Sequence, residues 1–261
     1  MNHLYLFKFF IGIFGLLVGS FLNALIYRLP REIPFGLSRS FCPHCKNKIA
    51  WYFNLPLVSY LFLFGRCHDC KEKISLRYPL IELLTCILAI LIAPKYISLH
   101  TVLNFLFLFT IGCAFLVHFF IDLEHQILPN SVNIILALLF LIYALLNFNF
   151  LFWFSGFAFG LGFPLLVTWL FYLLRGQIGL GGGDIKLFGI LGIYLGPFGV
   201  LLNIFLSCFL GSIIGLSLIV FKKMDKNNPL PFGPAIIIVA SMQIFFPYQF
   251  SQALAFFGLP H

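Results

Sequence analysis

Charged residues are scarce in this sequence of 261 residues. Asp, Glu, Lys and Arg together make up 9% of the chain, whereas apolar residues make up 61%. A soluble domain of this length needs far more polar surface, so the composition excludes an ordinary soluble protein. The chain also lacks solenoid repeats and low-complexity linkers, which excludes a repeat architecture. Several apolar runs exceed the roughly 18 residues typical of a transmembrane helix, and we therefore expect a polytopic membrane protein.

The apolar runs predict an all-α fold with about eight transmembrane helices. The predicted helices cover residues 4–27, 79–98, 101–121, 131–149, 151–174, 185–199, 200–221 and 233–257. The run at 185–199 is short and contains glycines and a proline, so a re-entrant loop is the alternative there. One polar insertion interrupts the pattern. It divides the chain into a first transmembrane helix (1–27), a cytosolic four-cysteine loop (28–78) and a transmembrane core (79–261).

Positive charge exceeds negative charge by a formal +8 and is concentrated on one predicted side of the membrane. If the N-terminus lies outside, 14 of the 16 lysines and arginines fall on the cytosolic side, and only Lys8 and Lys95 do not. This distribution follows the positive-inside rule and explains the basic composition without nucleic acid as a partner. It also disfavours the re-entrant loop, which would move Lys222, Lys223 and Lys226 outside. The predicted topology places both termini outside.

Four of the seven cysteines stand in two CxxC pairs within the predicted cytosolic loop, CPHC at 42–45 and CHDC at 67–70. Two such pairs supply the four thiolates of a tetrahedral zinc site. We therefore predict that a structural Zn²⁺ is bound by Cys42, Cys45, Cys67 and Cys70. Two disulfides and a redox-active CxxC are the alternatives. A cytosolic loop is in a reducing compartment, and the sequence gives the CxxC pairs no thioredoxin-like context.

Carboxylates stand at the boundaries of the predicted helices, where an unpaired charge is costly. Asp122 and Glu124 follow the third helix, and Asp184 opens the sixth. Because the chain is predicted to cross the membrane twice between them, Asp122 and Asp184 are expected at the same cytosolic edge. Two adjacent carboxylates that share a proton are the working unit of an aspartic protease. Helical periodicity alone does not choose between Asp122 and Glu124.

A run of three glycines precedes Asp184. A backbone without side chains lets an extended peptide lie directly beside the carboxylate. The predicted substrate-binding set comprises the three glycines and two charged residues: Gly181, Gly182, Gly183, Lys186 and Glu82.

Three other interpretations of the polar residues compete with a protease. His118, Asp122 and His125 share one helical face and could hold a metal ion. Glu82, Asp122 and Asp184 could form the relay of an ion-coupled membrane transporter, although the sequence shows no inverted repeat. A non-catalytic assembly scaffold that docks through the cysteine loop is the third alternative.

Five stretches occur in a characteristic order between residue 14 and about residue 235. They are FGLLVGSFLNALIYRLP, CPHCKNKIAWYFNLPLVSYLFLFGRCHDCKEKISLRYPLIELLT, IDLEHQILPN, GGGDIKLFG and PFGPA. Together they resemble the successive signatures of the type IV prepilin peptidases, which are polytopic aspartyl proteases of the GxGD type. The resemblance covers nearly the whole chain, and the ordered set is specific where a lone GxGD would be weak.

The resemblance implies that Asp122 and Asp184 are the catalytic pair, which selects Asp122 over Glu124. The family more often has Asp at the position of Asn130, so a third acid is not needed there. Substrates are expected to be precursors of type IV pilins or pseudopilins, cut after a short basic leader at the cytosolic face of the bacterial inner membrane.

Many family members also N-methylate the new N-terminal residue with S-adenosylmethionine, and the four-cysteine loop is linked to that activity in many of them. No strand followed by a glycine-rich loop and a helix is evident in the sequence. The methyltransferase is therefore implied by the resemblance alone.

Overall fold

The computed structural model describes residues 2–34, 40–177, 179–220 and 231–256. The described chain is built from α-helices, and its β-type pairing is limited to two isolated bridges, Phe41 with Lys48 and Arg66 with Lys73. The all-α prediction is confirmed. The helices are α1 (Asn2–Arg28), α2 (Val58–Phe62), α3 (Arg77–Leu91), α4 (Leu99–His125), α5 (Asn130–Asn147), α6 (Phe150–Arg175), α7 (Gly182–Val220), α8 (Gly233–Phe245) and α9 (Pro247–Phe256). Four of the cationic residues used to predict the topology lie outside the described residues: Arg39, Lys222, Lys223 and Lys226.

The protein is a multi-pass membrane protein with fewer clear spans than the sequence predicts. Among the described residues, five helices are long and apolar enough to cross a bilayer, or six if α8 and α9, which meet at 107°, form one span. The predicted eight spans are not confirmed. α3 has 15 residues and a length of about 22 Å, shorter than the roughly 30 Å hydrocarbon core. The predicted sixth and seventh helices are joined in α7.

A break within α7 lies at Gly196, whose φ of 70° and ψ of 179° are not helical. Glycine reaches a positive φ at little cost, and the following Pro197 lacks the N–H that would continue the hydrogen-bond ladder. The break therefore lies before the boundary predicted between residues 199 and 200. α7 packs closely on α6, since a side chain at Gly156 would overlap the carbonyl oxygen of Gly192.

The chain forms two compact units, Met1–Val117 and His118–His261. In the first unit α1 packs along α3. An added Cβ at Gly15 would lie 2.8 Å from the Cα of Cys86, and one at Gly19 would lie 2.7 Å from the Cα of Glu82. Such close backbone contact is typical of small residues between membrane helices.

In the second unit a buried polar network links α7 to α8. Asn203 Nδ2 donates a hydrogen bond of 2.8 Å to Gln243 Oε1, and Gln243 Nε2 donates one of 2.8 Å to the carbonyl of Gly199. The hydroxyl of Ser207 donates to Asn203 Oδ1 at 3.2 Å. Since lipid offers no alternative hydrogen-bond partners, this network fixes the position of α8 along α7.

Candidate active site and metal site

Asp122 lies in the last turn of α4, and only 5% of its surface is exposed. The backbone N–H of Gly233 donates a hydrogen bond of 2.9 Å to Asp122 Oδ2. Gly233 is the first residue of α8, so the carboxylate faces the N-terminal end of that helix. Helix N-termini carry unpaired N–H groups and a partial positive charge, which stabilise a carboxylate in this position.

Asp184 stands in the first turn of α7. The Asp184 carboxylate lies beside the backbone of Gly181. Asp184 Oδ1 is buried and has no hydrogen-bond partner among the described residues. A buried acceptor without a partner is rare in folded proteins, and this one is available to a water molecule or a substrate.

Asp122 lies near enough to Asp184 for the two negative charges to repel each other. Asp122 ends one membrane-length helix and Asp184 begins another, and α5 and α6 lie between them in the chain. If α5 and α6 both cross the bilayer, the chain returns to the side from which it started, and both carboxylates are expected at one face of the membrane. Two carboxylates in this arrangement can hold a water molecule and share a proton.

The three glycines before Asp184 differ in their surroundings. A Cβ at Gly181 would lie 3.0 Å from Asp184 Oδ2, and one at Gly183 would lie 3.1 Å from the Cβ of Leu128. A Cβ at Gly182 would meet no atom within 4 Å. The glycine run is therefore tight against the protein at two positions and open at Gly182. Its part in substrate binding stays a prediction.

The two charged residues of the predicted substrate-binding set have partners inside the protein. The ammonium of Lys186 donates a hydrogen bond of 3.0 Å to Asn130 Oδ1, which links the start of α7 to the start of α5. Glu82 is buried in the first unit, and its Oε2 accepts a hydrogen bond of 2.8 Å from the backbone N–H of Leu57. A role for either residue in substrate binding stays a prediction.

The alternative metal site on α4 has no support in the structure. The fully buried ring of His118 lies beside the amide of Asn133, but no hydrogen bond of normal geometry joins them. His125 Nε2 lies 4.0 Å from Glu124 Oε2. Within the described part of the chain, the four cysteines are the one group of His, Cys, Asp or Glu side chains arranged to hold a metal ion.

The four cysteines of the predicted zinc site come together. Their Sγ atoms all lie within 4.8 Å of one another, and those of Cys42 and Cys70 are 3.9 Å apart. All four are free thiols, so the disulfide alternative has no support. Metal–sulfur bonds of about 2.3 Å in a tetrahedron place the sulfur atoms about 3.8 Å apart, and the cluster fits a metal ion of that kind.

Both CxxC pairs sit in knuckles of the same construction. In each, the backbone N–H of the first cysteine donates to the carbonyl of the residue five positions later, at 3.0 Å and 2.8 Å. The residue after each second cysteine, Lys46 or Lys71, has a positive φ of 62° or 59°. The backbone N–H of Cys70 lowers the pKa of Cys67 to about 7. This favours the thiolate that a metal ion requires.

Sequence analysis does not identify Gly233 as part of the site. The available signal is the glycine and proline of PFGPA, because proline in the first turn is typical of a helix start. That signal places the helix end but not the carboxylate that it faces. Asn130 is likewise noted only as the position of a missing acid, whereas the structure gives it a hydrogen bond from Lys186.

Comparisons with known proteins cover most of the chain. A family model described as Bacterial Peptidase A24 N-terminal domain matches residues 13–96, and one described as Type IV leader peptidase family matches residues 107–216. The chain is 34% identical to a Dichelobacter nodosus protein named Prepilin leader peptidase/N-methyltransferase, with 95% of each chain covered. Proteins of the same name from Neisseria gonorrhoeae and Pseudomonas aeruginosa are 37% and 33% identical, with 87% and 91% of this chain and 86% and 90% of theirs covered. No solved structure matches.

Proposed function

Because this chain belongs to the type IV leader peptidase family, we propose that it cleaves the leader from type IV prepilins or pseudopilins and N-methylates the new N-terminal residue. The observation that supports the peptidase most directly is the proximity of the Asp122 and Asp184 carboxylates, whose charges repel each other. The names of the relatives support both activities. Neither those names nor the matching family models support an ion-coupled transporter or a non-catalytic scaffold.

The two carboxylates divide the work of peptide hydrolysis. One removes a proton from a water molecule held between the pair, and the water oxygen attacks the scissile carbonyl carbon. The other gives its proton to the carbonyl oxygen, and the tetrahedral intermediate then breaks its C–N bond as the leaving amine takes up a proton. The N–H of Gly233 holds the Asp122 carboxylate in position before substrate arrives, so little reorganisation is needed there.

The scissile peptide is proposed to lie beside the glycine run. The open surroundings of Gly182 support this position, since an extended backbone can approach there without meeting a side chain. Lys186 follows Gly182 by one helical turn on α7 and lies within reach of the same peptide.

Methyl transfer is proposed from the family relationship. When bound, S-adenosylmethionine would supply the methyl group to the amine that cleavage releases. Since cleavage creates this amine, methyl transfer follows hydrolysis.

The metal ion held by the four cysteines is proposed to be a structural Zn²⁺. Four sulfur ligands favour zinc over cations that prefer oxygen, and a closed set of four protein ligands is typical of a structural rather than a catalytic zinc site.

The proposed location is the bacterial inner membrane, with both termini on the outer side and the knuckles in the cytosol. The concentration of Lys and Arg in the predicted cytosolic segments supports this orientation. The lipid bilayer and the prepilin or pseudopilin precursors are the proposed partners.

Cleavage of a prepilin by the purified protein in lipid nanodiscs tests the peptidase. Mass spectrometry of one reaction detects both the loss of the leader and the addition of a methyl group. Asp122→Asn and Asp184→Asn should each abolish cleavage in protein that still inserts and folds. Glu124→Gln is the matched control, because Glu124 is an exposed acid two residues from Asp122, and it should cleave nearly as well as the parent. Near-normal cleavage by either aspartate variant contradicts the proposed pair.

A further inference from the structure

Residues 51–64, between the two knuckles, expose a row of large apolar side chains. The exposed fraction reaches 79% for Phe62 and 89% for Phe64. We call the set the apolar loop surface, and it comprises Trp51, Leu55, Val58, Leu61, Phe62 and Phe64. Exposed apolar surface of this kind is typical of a region that contacts a membrane or another protein.

The opposite side of this loop is fixed by polar contacts. The backbone N–H of Leu57 donates to Glu82 Oε2 at 2.8 Å, and the buried hydroxyl of Ser59 donates to the carbonyl of Tyr52 at 3.1 Å. Leu57 has a φ of 57° and a ψ of −45°, a conformation that is unfavourable for leucine and that persists only where the surroundings enforce it. One hydrogen bond therefore ties the loop to α3 and a second closes the loop internally, while its apolar side chains are exposed.

The contact with Glu82 shows where the loop lies along the axis of α1. Glu82 packs against Gly19, where an added Cβ would lie 2.7 Å from the Cα of Glu82. Gly19 precedes Arg28, the last residue of α1, by nine residues, which corresponds to about 14 Å of helix. Because α1 is long and apolar enough to cross a bilayer, Leu57 lies alongside a membrane helix, below its end.

Cations flank the apolar loop surface in the sequence. Residues 40–78 contain six lysines and arginines and two acids. Five of these cations are exposed, namely Lys46, Lys48, Arg66, Lys71 and Lys73. Of the two acids, Asp69 is engaged by Asn47 and His68, at 3.1 Å and 2.8 Å. Exposed cations therefore lie on both sides of the apolar loop in the sequence, and these can contact anionic lipid phosphates.

We propose that residues 51–64 form an interfacial membrane element that inserts its apolar side chains into the lipid leaflet beside α1 and α3, with the flanking knuckle cations at the anionic headgroups. Aromatic side chains next to cations are the composition of segments that lie in the membrane interface. Insertion also explains why the exposed apolar side chains of this loop lie alongside a membrane helix. Without insertion, water would have to surround these side chains there. The proposal does not depend on either proposed activity.

Tryptophan fluorescence of the full-length protein in vesicles of phosphatidylcholine and phosphatidylglycerol tests this. The variant Trp153→Phe/Trp169→Phe leaves Trp51 as the single reporter. A second variant, Phe64→Trp with all three native tryptophans replaced by Phe, reports from the most exposed position of the loop. Trp169, retained alone, is the lipid-facing reference, because it lies 56% exposed on the membrane-length helix α6.

Brominated lipids should quench both loop reporters, with the strongest effect when the bromines lie near the headgroup end of the acyl chain. Acrylamide should quench them with a Stern–Volmer constant several-fold smaller than that of N-acetyltryptophanamide in the same buffer. Acrylamide quenching close to that of the free compound, without quenching by brominated lipid, overturns the proposal. Protection that appears only after a prepilin is added also overturns it and assigns the surface to a protein partner.

Discussion

The backbone N–H of Gly233 donates a hydrogen bond of 2.9 Å to Asp122 Oδ2, across 111 residues of sequence. It brings the N-terminus of α8 to one of the two carboxylates of the candidate active site. The position requires glycine for a steric reason, since an added Cβ would lie 2.8 Å from Asp122 Oδ2 and 3.0 Å from its Cγ.

Gly233→Ala should lower the rate of leader cleavage by about 100-fold, because displacement of a catalytic group by about 1 Å has an effect of that order. Steady-state cleavage of a prepilin by protein in nanodiscs measures it, normalised to folded protein. Gly162→Ala is the matched control, since a Cβ at Gly162 would meet no atom within 4 Å, and it should cleave as the parent does. Equal cleavage rates for Gly233→Ala and Gly162→Ala would show that cleavage does not depend on the close contact between Gly233 and Asp122.

Gly183→Val should slow cleavage severely. The structure offers two reasons, a contact of 3.1 Å between the added Cβ and Leu128 and the close approach of substrate to the residue before Asp184. The double variant Gly183→Val/Leu128→Ala separates them. We expect it to remain slow, because substrate approach is the proposed reason. Recovery of the parent rate would assign the glycine to packing of α7 against Leu128.

Gln243→Leu should loosen α8 and so weaken the alignment of Gly233 with Asp122. The substitution removes two hydrogen bonds of 2.8 Å, to Asn203 and to the carbonyl of Gly199. Such bonds between membrane helices contribute about 0.6 kcal/mol each on average. We expect a modest fall in thermal stability and a larger fall in kcat than any rise in KM.

The matched variants for this network are Asn203→Leu and the double variant Asn203→Leu/Gln243→Leu. Because the two side chains share one hydrogen bond, their effects on stability should be less than additive. Additive effects would show that the two residues act independently, and an unchanged kcat in Gln243→Leu would show that the network does not align the site.

Cys67→Ser should remove the bound metal and destabilise the knuckles more than it impairs cleavage. Structural zinc contributes on the order of 10 kcal/mol in isolated zinc peptides, and the Asp122–Asp184 pair is built from other elements. Elemental analysis, thermal unfolding, cleavage and methyl transfer would be measured on one sample, with methyl transfer expected to fall more than cleavage.

Cys208→Ser is the control for this experiment, because Cys208 is a free cysteine on α7 outside the cluster. It should retain about one zinc per chain, as expected for a closed four-cysteine site. Complete loss of cleavage in well-folded Cys67→Ser protein would place the knuckles in the peptidase site. Absence of zinc from parent protein purified without a chelator would contradict the metal assignment.

The properties that depend on neighbours along the chain can be read from the amino-acid sequence alone. The length of the apolar runs sets the membrane class and the all-α fold, because a helix in lipid must satisfy its own backbone groups. The two CxxC pairs predict the cysteine cluster from local spacing, because each pair presents two thiols from one turn. To predict that Asp122 and Asp184 lie on the same side of the membrane, the number of crossings between them must also be known. Two membrane-length helices lie between them in the chain.

Contacts between residues that are far apart in the chain become visible only in the folded structure. No local pattern pairs Gly233 with Asp122, Leu57 with Glu82 or Lys186 with Asn130, because these contacts depend on how whole helices pack. The same holds for the span count. α3 ends after 15 residues, and the break within α7 lies at Gly196 rather than at the predicted boundary, because backbone geometry as well as apolar composition sets where helices end.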